Sequence, residues 1–242
     1  MVRHFGVDDT QVERDHLISH LLAHLGALVD GEVVFFGGTA LSRTHLADGR
    51  LSEDIDLYTV GDRARLAAFL TNRWPRAVRA EYPGLRWQPA LTDVRDVEPA
   101  TITTREGTPV RIQLLAADAT YARWPTECRP INVRYRDVPS VELQVPTRSA
   151  FVAMKAAAWR DRHTARDLFD LAGLARVGAV TPDAVALLRE VTGVPLVSGE
   201  LDRVPSGLRW HEHLAHQTRL EIDADTALRE VRDAWGRANR IR

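Results

Sequence analysis

Asp54 and Asp56 are separated by one apolar residue in Asp54-Ile55-Asp56-Leu57-Tyr58. In a strand this spacing turns both carboxylates to one face, while Ile55 and Leu57 anchor the other in a core. Neighbouring carboxylates repel, which raises at least one pKa unless a cation compensates. A divalent metal removes that penalty, and magnesium is commonly held by one or two carboxylates plus substrate phosphates. Alone, the pattern reads more readily as two solvated acids on an exposed strand. The upstream segment shifts the balance. Phe35-Phe36-Gly37-Gly38-Thr39-Ala40-Leu41 reads as a buried strand, a glycine turn and a helix start. Glycines let the backbone approach a ligand closely, Thr39 can cap the helix, and the free N–H groups of a helix start suit a phosphate. Gly-Gly by itself is only a tight turn. The weight lies in the order: a phosphate-binding turn, then a strand of paired acids.

A second group lies in the back half. Of the 32 basic residues one is a lysine, Lys155, so its position is informative against an arginine-biased background. It sits between Met154 and Ala156, an apolar setting on a helix capped by Thr147 or Ser149. A compact ammonium there is a good point-charge partner for phosphate; the alternative is a lysine snorkelling from a half-buried helix. Asp167 and Asp170 follow, three apart on a helix and in reach of Arg162 and Arg166. Asp170 reads as no more than a partner in a surface salt bridge.

These residues need elements to hold them. Asp9 to about Val29 carries the leucine spacing of an amphipathic helix, which Asp30-Gly31 ends. Glu32–Phe36 reads as a strand, 40–46 as a short helix, 54–58 as a strand and 63–74 as a helix. From 84 to 145 the pattern is strands and turns, with candidates at 85–87, 101–104, 110–115, 131–133 and 141–145. Helices are predicted over about 147–161, 163–177, 181–192 and 223–240, and 193–220 is hard to read. The fold class is therefore α+β: a mixed sheet with flanking helices over residues 1–146, then a helical half over 147–242.

Length and composition suit a soluble globular chain. No apolar run approaches a membrane span, and the charged start (Arg3, Asp8, Asp9) does not resemble a secretory signal. Cys128 is the single cysteine, which fits a reducing cytoplasm. No Cys/His cluster with zinc spacing stands out, and a structural metal is not expected. The net charge of -1 decides nothing about partners. Arg123, Arg129, Arg134, Arg136 and the tail (Arg229, Arg232, Arg237, Arg240, Arg242) offer mild support for a nucleic-acid partner, with solvated helix faces an equal reading.

Gly37-Gly38-Thr39-Ala40-Leu41, Arg43 and Ser52-Glu53-Asp54-Ile55-Asp56-Leu57 together resemble the AbiEii/AbiGii group of nucleotidyltransferase-like toxins, which includes the MenT toxins, within the DNA polymerase β-type nucleotidyltransferase superfamily. Lys155, then Arg166-Asp167 and Asp170-Leu171, resemble the family's later motifs. The resemblance implies a polymerase β-like core and transfer of an NMP from an NTP to an acceptor hydroxyl, with pyrophosphate leaving. It implies magnesium (or manganese) on Asp54 and Asp56, and nucleotide contacts from Gly37, Gly38, Thr39, Ser42, Arg43, Ser52 and Lys155. Asp167 would complete the catalytic set of Asp54, Asp56 and Lys155. It further implies the 3′ end of tRNA as acceptor, a cognate antitoxin as partner, and Ser52 as a candidate phosphorylation site. One departure stands out. Such sites carry a third carboxylate on a later strand, and Val110–Leu115 offers Gln113 in that place. A small-molecule nucleotidyltransferase of aminoglycoside type, or a nucleotide-binding protein without turnover, would share the same front half.

Overall fold

The structure, a computed structural model, describes residues 5–118 and 120–240. Arg3 and Arg242 lie outside them. Helix α1 (Asp9–Leu28) starts where the Asp8 carboxylate accepts from Gln11 N. Leu17, Leu21, Leu22 and Leu25 are fully buried, but so are Asp15, Ser19 and His20. The amphipathic helix expected from the leucine spacing is thus an interior one. Gln11, Asp15, Ser19 and His20 are covered by other parts of the chain rather than by water.

Strand β1 (Val34–Phe36) leads into helix α2 (Gly37–Thr44), then come β2 (Asp54–Thr59) and α3 (Arg63–Ala77). Four strands follow: β3 (Arg86–Trp87), β4 (Ala100–Thr103), β5 (Pro109–Ala116) and β6 (Thr126–Pro130). With β7 (Glu142–Pro146) they form a mixed seven-stranded sheet in the order β3-β4-β5-β2-β1-β7-β6. The central pairings matter most: β2 runs antiparallel to β1 and parallel to β5. The strand expected at 131–133 lies instead at 126–130. It is an edge strand of alternately exposed and half-buried residues, so it lacks the apolar signal that Ile131 and Val133 give. Helix α2 also begins earlier than expected, at Gly37 itself.

After Pro146 the chain is helical: α4 (Arg148–Arg162), α5 (Ala165–Arg176), α6 (Pro182–Thr192), the short α7 (Trp210–Leu214) and α8 (Ala224–Arg240). Thr147, Thr164 and Thr181 cap the first three with their side chains. The segment that was hard to read holds a 3-10 turn (Ser198–Leu201) and α7. Sheet and helices share one hydrophobic core running from Leu17 to Trp235, so residue 146 marks a change of architecture within a continuous interior. No helix among the described residues is long and apolar enough to cross a membrane.

Several arginines expected at a nucleic-acid surface have internal partners. Arg123 Nη1 donates to the Val191 carbonyl at 3.1 Å and its Nη2 to the Glu190 carbonyl, closing the end of α6. Arg134 Nη1 reaches Asp15 at 2.6 Å with its side chain buried. Arg136, Arg232, Arg237 and Arg240 remain on the exposed surface or close to it.

Candidate active site

Strand β2 presents Asp54 and Asp56 on one face because its alternate residues, Ile55 and Leu57, are fully buried. The parallel neighbour β5 sets Arg111 beside Asp54 and Gln113 beside Asp56. Arg111 forms a two-pronged pair, Nε and Nη2 each donating to Asp54 at 2.9 Å. Asp56 differs: among the described residues no side chain donates to it within hydrogen-bond distance. Burial first, and the Asp54 carboxylate second, push its pKa up to about 6, against the opposing pull of Lys155, Arg162 and Arg50. Gln113 turns its amide nitrogen to the Val97 carbonyl at 2.9 Å. The third carboxylate of the superfamily pattern is absent from this register position.

The two glycines do different work. Gly37 has φ +78°, and a Cβ there would lie 2.0 Å from Asp56 Oδ2. A Cβ on Gly38 would lie 2.4 Å from Arg50 Nη2. Both side chains that line the site are therefore seated against bare backbone at the start of α2. Contrary to the expectation from the sequence, Thr39 does not cap the helix. The helix has already begun at Gly37, and Thr39 Oγ1 donates to the Asp54 carbonyl at 2.5 Å, tying α2 to the first residue of β2.

The facing wall comes from α4, α5 and the loop before β2. Lys155 Nζ lies 2.6 Å from Asp170 and 3.4 Å from Asp167. Asp170 also takes Arg50 in a forked pair at 3.0 and 3.1 Å, and Arg50 goes on to Gln217 at 2.7 Å. Asp167 receives Arg162 at 2.7 and 2.8 Å and the Thr164 hydroxyl at 2.6 Å. Burial pushes Asp167 up, but these donors and the Lys155 ammonium outweigh it, and its pKa falls to about 2. Asp170, expected as a surface partner, is buried at the junction of Lys155 and Arg50. Asp167 is wholly buried behind Lys155 and Arg162 and does not line the cleft, so it positions cations rather than meeting a ligand.

Two residues expected at the nucleotide lie elsewhere. Arg43 is buried, its guanidinium held by Asp15 at 2.8 Å, by Ser19 and by the Asn132 carbonyl. Ser42 donates to the Thr39 carbonyl and accepts from Arg134, each at 3.2 Å. Both lie on the far side of α2 from the cleft. In a helix of eight residues, only one face can look at the acids. Ser52 does line the cleft.

Between the walls lies a cleft of about 530 Å³ that brings together Gly37, Gly38, Ser52, Asp54, Asp56 and Lys155. Four further lining residues went unassigned or unnoticed in the sequence: Arg50, Tyr121, Arg166 and His213. Arg50, Tyr121 and His213 come from loops or short turns without periodicity. Arg166, next to Asp167, could have been found as a further cation of that motif. No carboxylate among the described residues reaches Arg166 within ion-pair distance, and burial and the nearby Arg50 weaken its hold on its proton. A smaller cavity of about 160 Å³ opens from the same acids toward Pro99, Arg111 and Gln113. Asp54 and Asp56 suit a hard divalent cation, since both present oxygen and no cation among the described residues is hydrogen-bonded to Asp56. The facing cations suit an anion of several charges.

The sequence also hid a histidine cluster. His16, His20 and His24 recur every four residues along α1, and the fold brings Asp137 and Glu81 to them. The sequence shows no Cys/His cluster with zinc spacing, and the fold brings the ligating atoms of His16, His20 and Asp137, and those of His20, His24 and Glu81, within 4.8 Å of one another. The helical period was the available signal.

A family model described as "Nucleotidyl transferase AbiEii toxin, Type IV TA system" matches residues 20–236. Among solved structures, MenT4, a nucleotidyltransferase toxin from Mycobacterium tuberculosis H37Rv, is similar with TM-score 0.65 and 19% identity over 96% of this chain and 85% of that one. An antigenic nucleotidyltransferase-like protein from Paracoccidioides brasiliensis aligns at TM-score 0.45 and 12% identity over 75% of this chain and 86% of that one. No curated protein matches the sequence. With the family pattern spanning both walls of the cleft, the chain belongs to the AbiEii nucleotidyltransferase toxins of type IV toxin–antitoxin systems.

Proposed function

We propose that the cleft takes a nucleoside triphosphate with magnesium or manganese and transfers its NMP to the 3′ end of tRNA, releasing pyrophosphate. The observation that carries this reading is the charge layout. Two strand-borne acids, one without a hydrogen-bonded cation among the described residues, face Arg50, Lys155, Arg162 and Arg166 across one cavity. Asp54 and Asp56 would hold the cation, which supplies charge neutralisation at the phosphates. Arg166 has its guanidinium free to bind phosphate, while Lys155 and Arg162 are pre-oriented by Asp170 and Asp167. Gly37, Gly38 and Ser52 give the triphosphate a close approach to the start of α2. Thr39 acts through Asp54, and Ser42 and Arg43 act through the packing of α2. Catalysis of this kind is chiefly positioning and electrostatics. The acceptor end would enter by the smaller cavity beside Arg111, whose fork on Asp54 must open or share that carboxylate.

The wider reading follows the family: a cognate antitoxin as protein partner and action in the cytoplasm. Incubation of the pure protein with each labelled nucleoside triphosphate, magnesium and total tRNA tests it. Labelled tRNA from the wild type, and none from the Asp54→Asn variant, is the expected result. Label on small molecules with none on tRNA would favour an aminoglycoside-type enzyme instead, and label on neither would overturn the transfer reading.

A further inference from the structure

On the helix that packs behind the sheet, the structure places a second cluster of ligating side chains with no part in nucleotide chemistry. We propose that His16, His20 and Asp137 form a binding site for a zinc-class divalent transition metal. His16 Nε2 lies 2.9 Å from Asp137 Oδ2 and His20 Nε2 lies 3.6 Å from the same oxygen. Three ligand atoms on a tetrahedral zinc at about 2.0–2.2 Å stand about 3.3–3.5 Å from one another, so a small adjustment admits an ion. The ligating atoms of all three residues lie within 4.8 Å of one another.

The second observation is His20 itself. It is 1% exposed; Nδ1 has no hydrogen-bond partner, and Nε2 has only the Asp137 carboxylate, at the long distance of 3.6 Å. An imidazole so buried and so weakly partnered is costly unless something binds it, and a metal on Nε2 would supply a close ligand there. The site is also equipped to orient its ligands. Tyr82 stands 2.5 Å from His16 Nδ1, so that nitrogen can donate to the phenolic oxygen while Nε2 faces the ion. Asp137 is 64% exposed, leaving a path from solvent and a fourth position for water. The set of two imidazoles, one carboxylate and water favours zinc, cobalt or nickel over magnesium. His24 and Glu81 offer a neighbouring set that shares His20, so an ion fills one set or the other.

The test uses the full chain stripped with EDTA and returned to excess magnesium, which occupies the nucleotide-site acids. Zn²⁺ is titrated by calorimetry and Co²⁺ by visible absorption. One zinc per chain, a tetrahedral cobalt spectrum and a zinc-dependent rise in Tm are expected. Asp137→Ala, an exposed change that leaves the fold intact, and His16→Ala should abolish all three signals, and Tyr82→Phe should weaken zinc about tenfold. His24→Ala and Asp54→Asn should bind as the wild type does. No saturable zinc binding, binding unchanged by Asp137→Ala and His16→Ala, or binding lost in His24→Ala or Asp54→Asn overturns the assignment.

Discussion

A carboxylate that titrates near pH 6 inside a cleft makes Asp56 the residue with the most measurable behaviour. Its folded pKa lies above the ordinary 3.8, so the stability it contributes is full below about pH 4 and is lost as pH rises through about 6. The loss amounts to about 3 kcal/mol as an upper figure. Without divalent ions, Asp56→Asn should therefore raise Tm at pH 8 and leave it unchanged near pH 4, while nucleotide transfer disappears. Thermal unfolding in EDTA across that range checks the sign. Magnesium affinity should climb through the same window as the proton leaves. Asp167 behaves oppositely: its depressed pKa of about 2 means stability held above the ordinary carboxylate range and lost only as pH falls toward that value. Arg166, with no carboxylate among the described residues within ion-pair distance, should give a different signature. Arg166→Ala is expected to raise KM for the triphosphate roughly tenfold or more, the worth of a charged hydrogen bond, with Tm unchanged.

At the scale of elements, the start of α2 decides how the acids sit. Gly37→Ala places a Cβ against Asp56 at a positive φ, so it should cost about 1–2 kcal/mol for the backbone alone and reduce transfer by displacing the carboxylate. Gly38→Ala meets the tip of the Arg50 side chain and, less closely, Ser52 Oγ, so its effect on Tm should be smaller and its effect on KM larger. Urea unfolding and steady-state kinetics on the two variants separate these outcomes. The same element shows what a sequence can and cannot reveal. Asp54 and Asp56 were legible on one strand face because alternation is local and Ile55 and Leu57 demand burial. Arg43 was misread because its neighbourhood to the motif says nothing about which side of an eight-residue helix it leaves from. Arg50 and His213 stayed hidden because they reach the cleft from a loop and a single helical turn. β6 was displaced because an edge strand carries no apolar period.

At the scale of the molecule, a buried ionic cluster behind the sheet joins α1 to α2 and to the segment before β7. Asp15 holds Arg43 at 2.8 Å, Arg134 at 2.6 Å and the Tyr135 hydroxyl at 3.1 Å. Burial draws the Arg43 pKa down to about 10, with Asp15 as the main opposing influence. Asp15→Ala would leave buried guanidinium groups without an acid and should cost about 3–5 kcal/mol in chemical unfolding. At temperatures where that variant remains folded, KM for the triphosphate should stay near the wild-type value, which separates support of α2 from contact with nucleotide. The helical half was legible as helices because its apolar spacing and threonine caps are local. Its contribution to the cleft was not, since Asp170, paired with Lys155, meets Arg50 across more than a hundred residues of chain.

The contact between Gly37 and Asp56 also links two positions as a heritable pair. A methyl group at 37 and a carboxylate at 56 compete for the same space, so the harm done by Gly37→Ala should shrink when Asp56 is first shortened to alanine. The difference, read as a coupling energy in a double-mutant cycle, isolates this clash from the backbone strain that remains in both backgrounds. A lineage that abandons the acid at 56 releases position 37 from that collision, and drift away from glycine there would be an early mark of a toxin losing its chemistry.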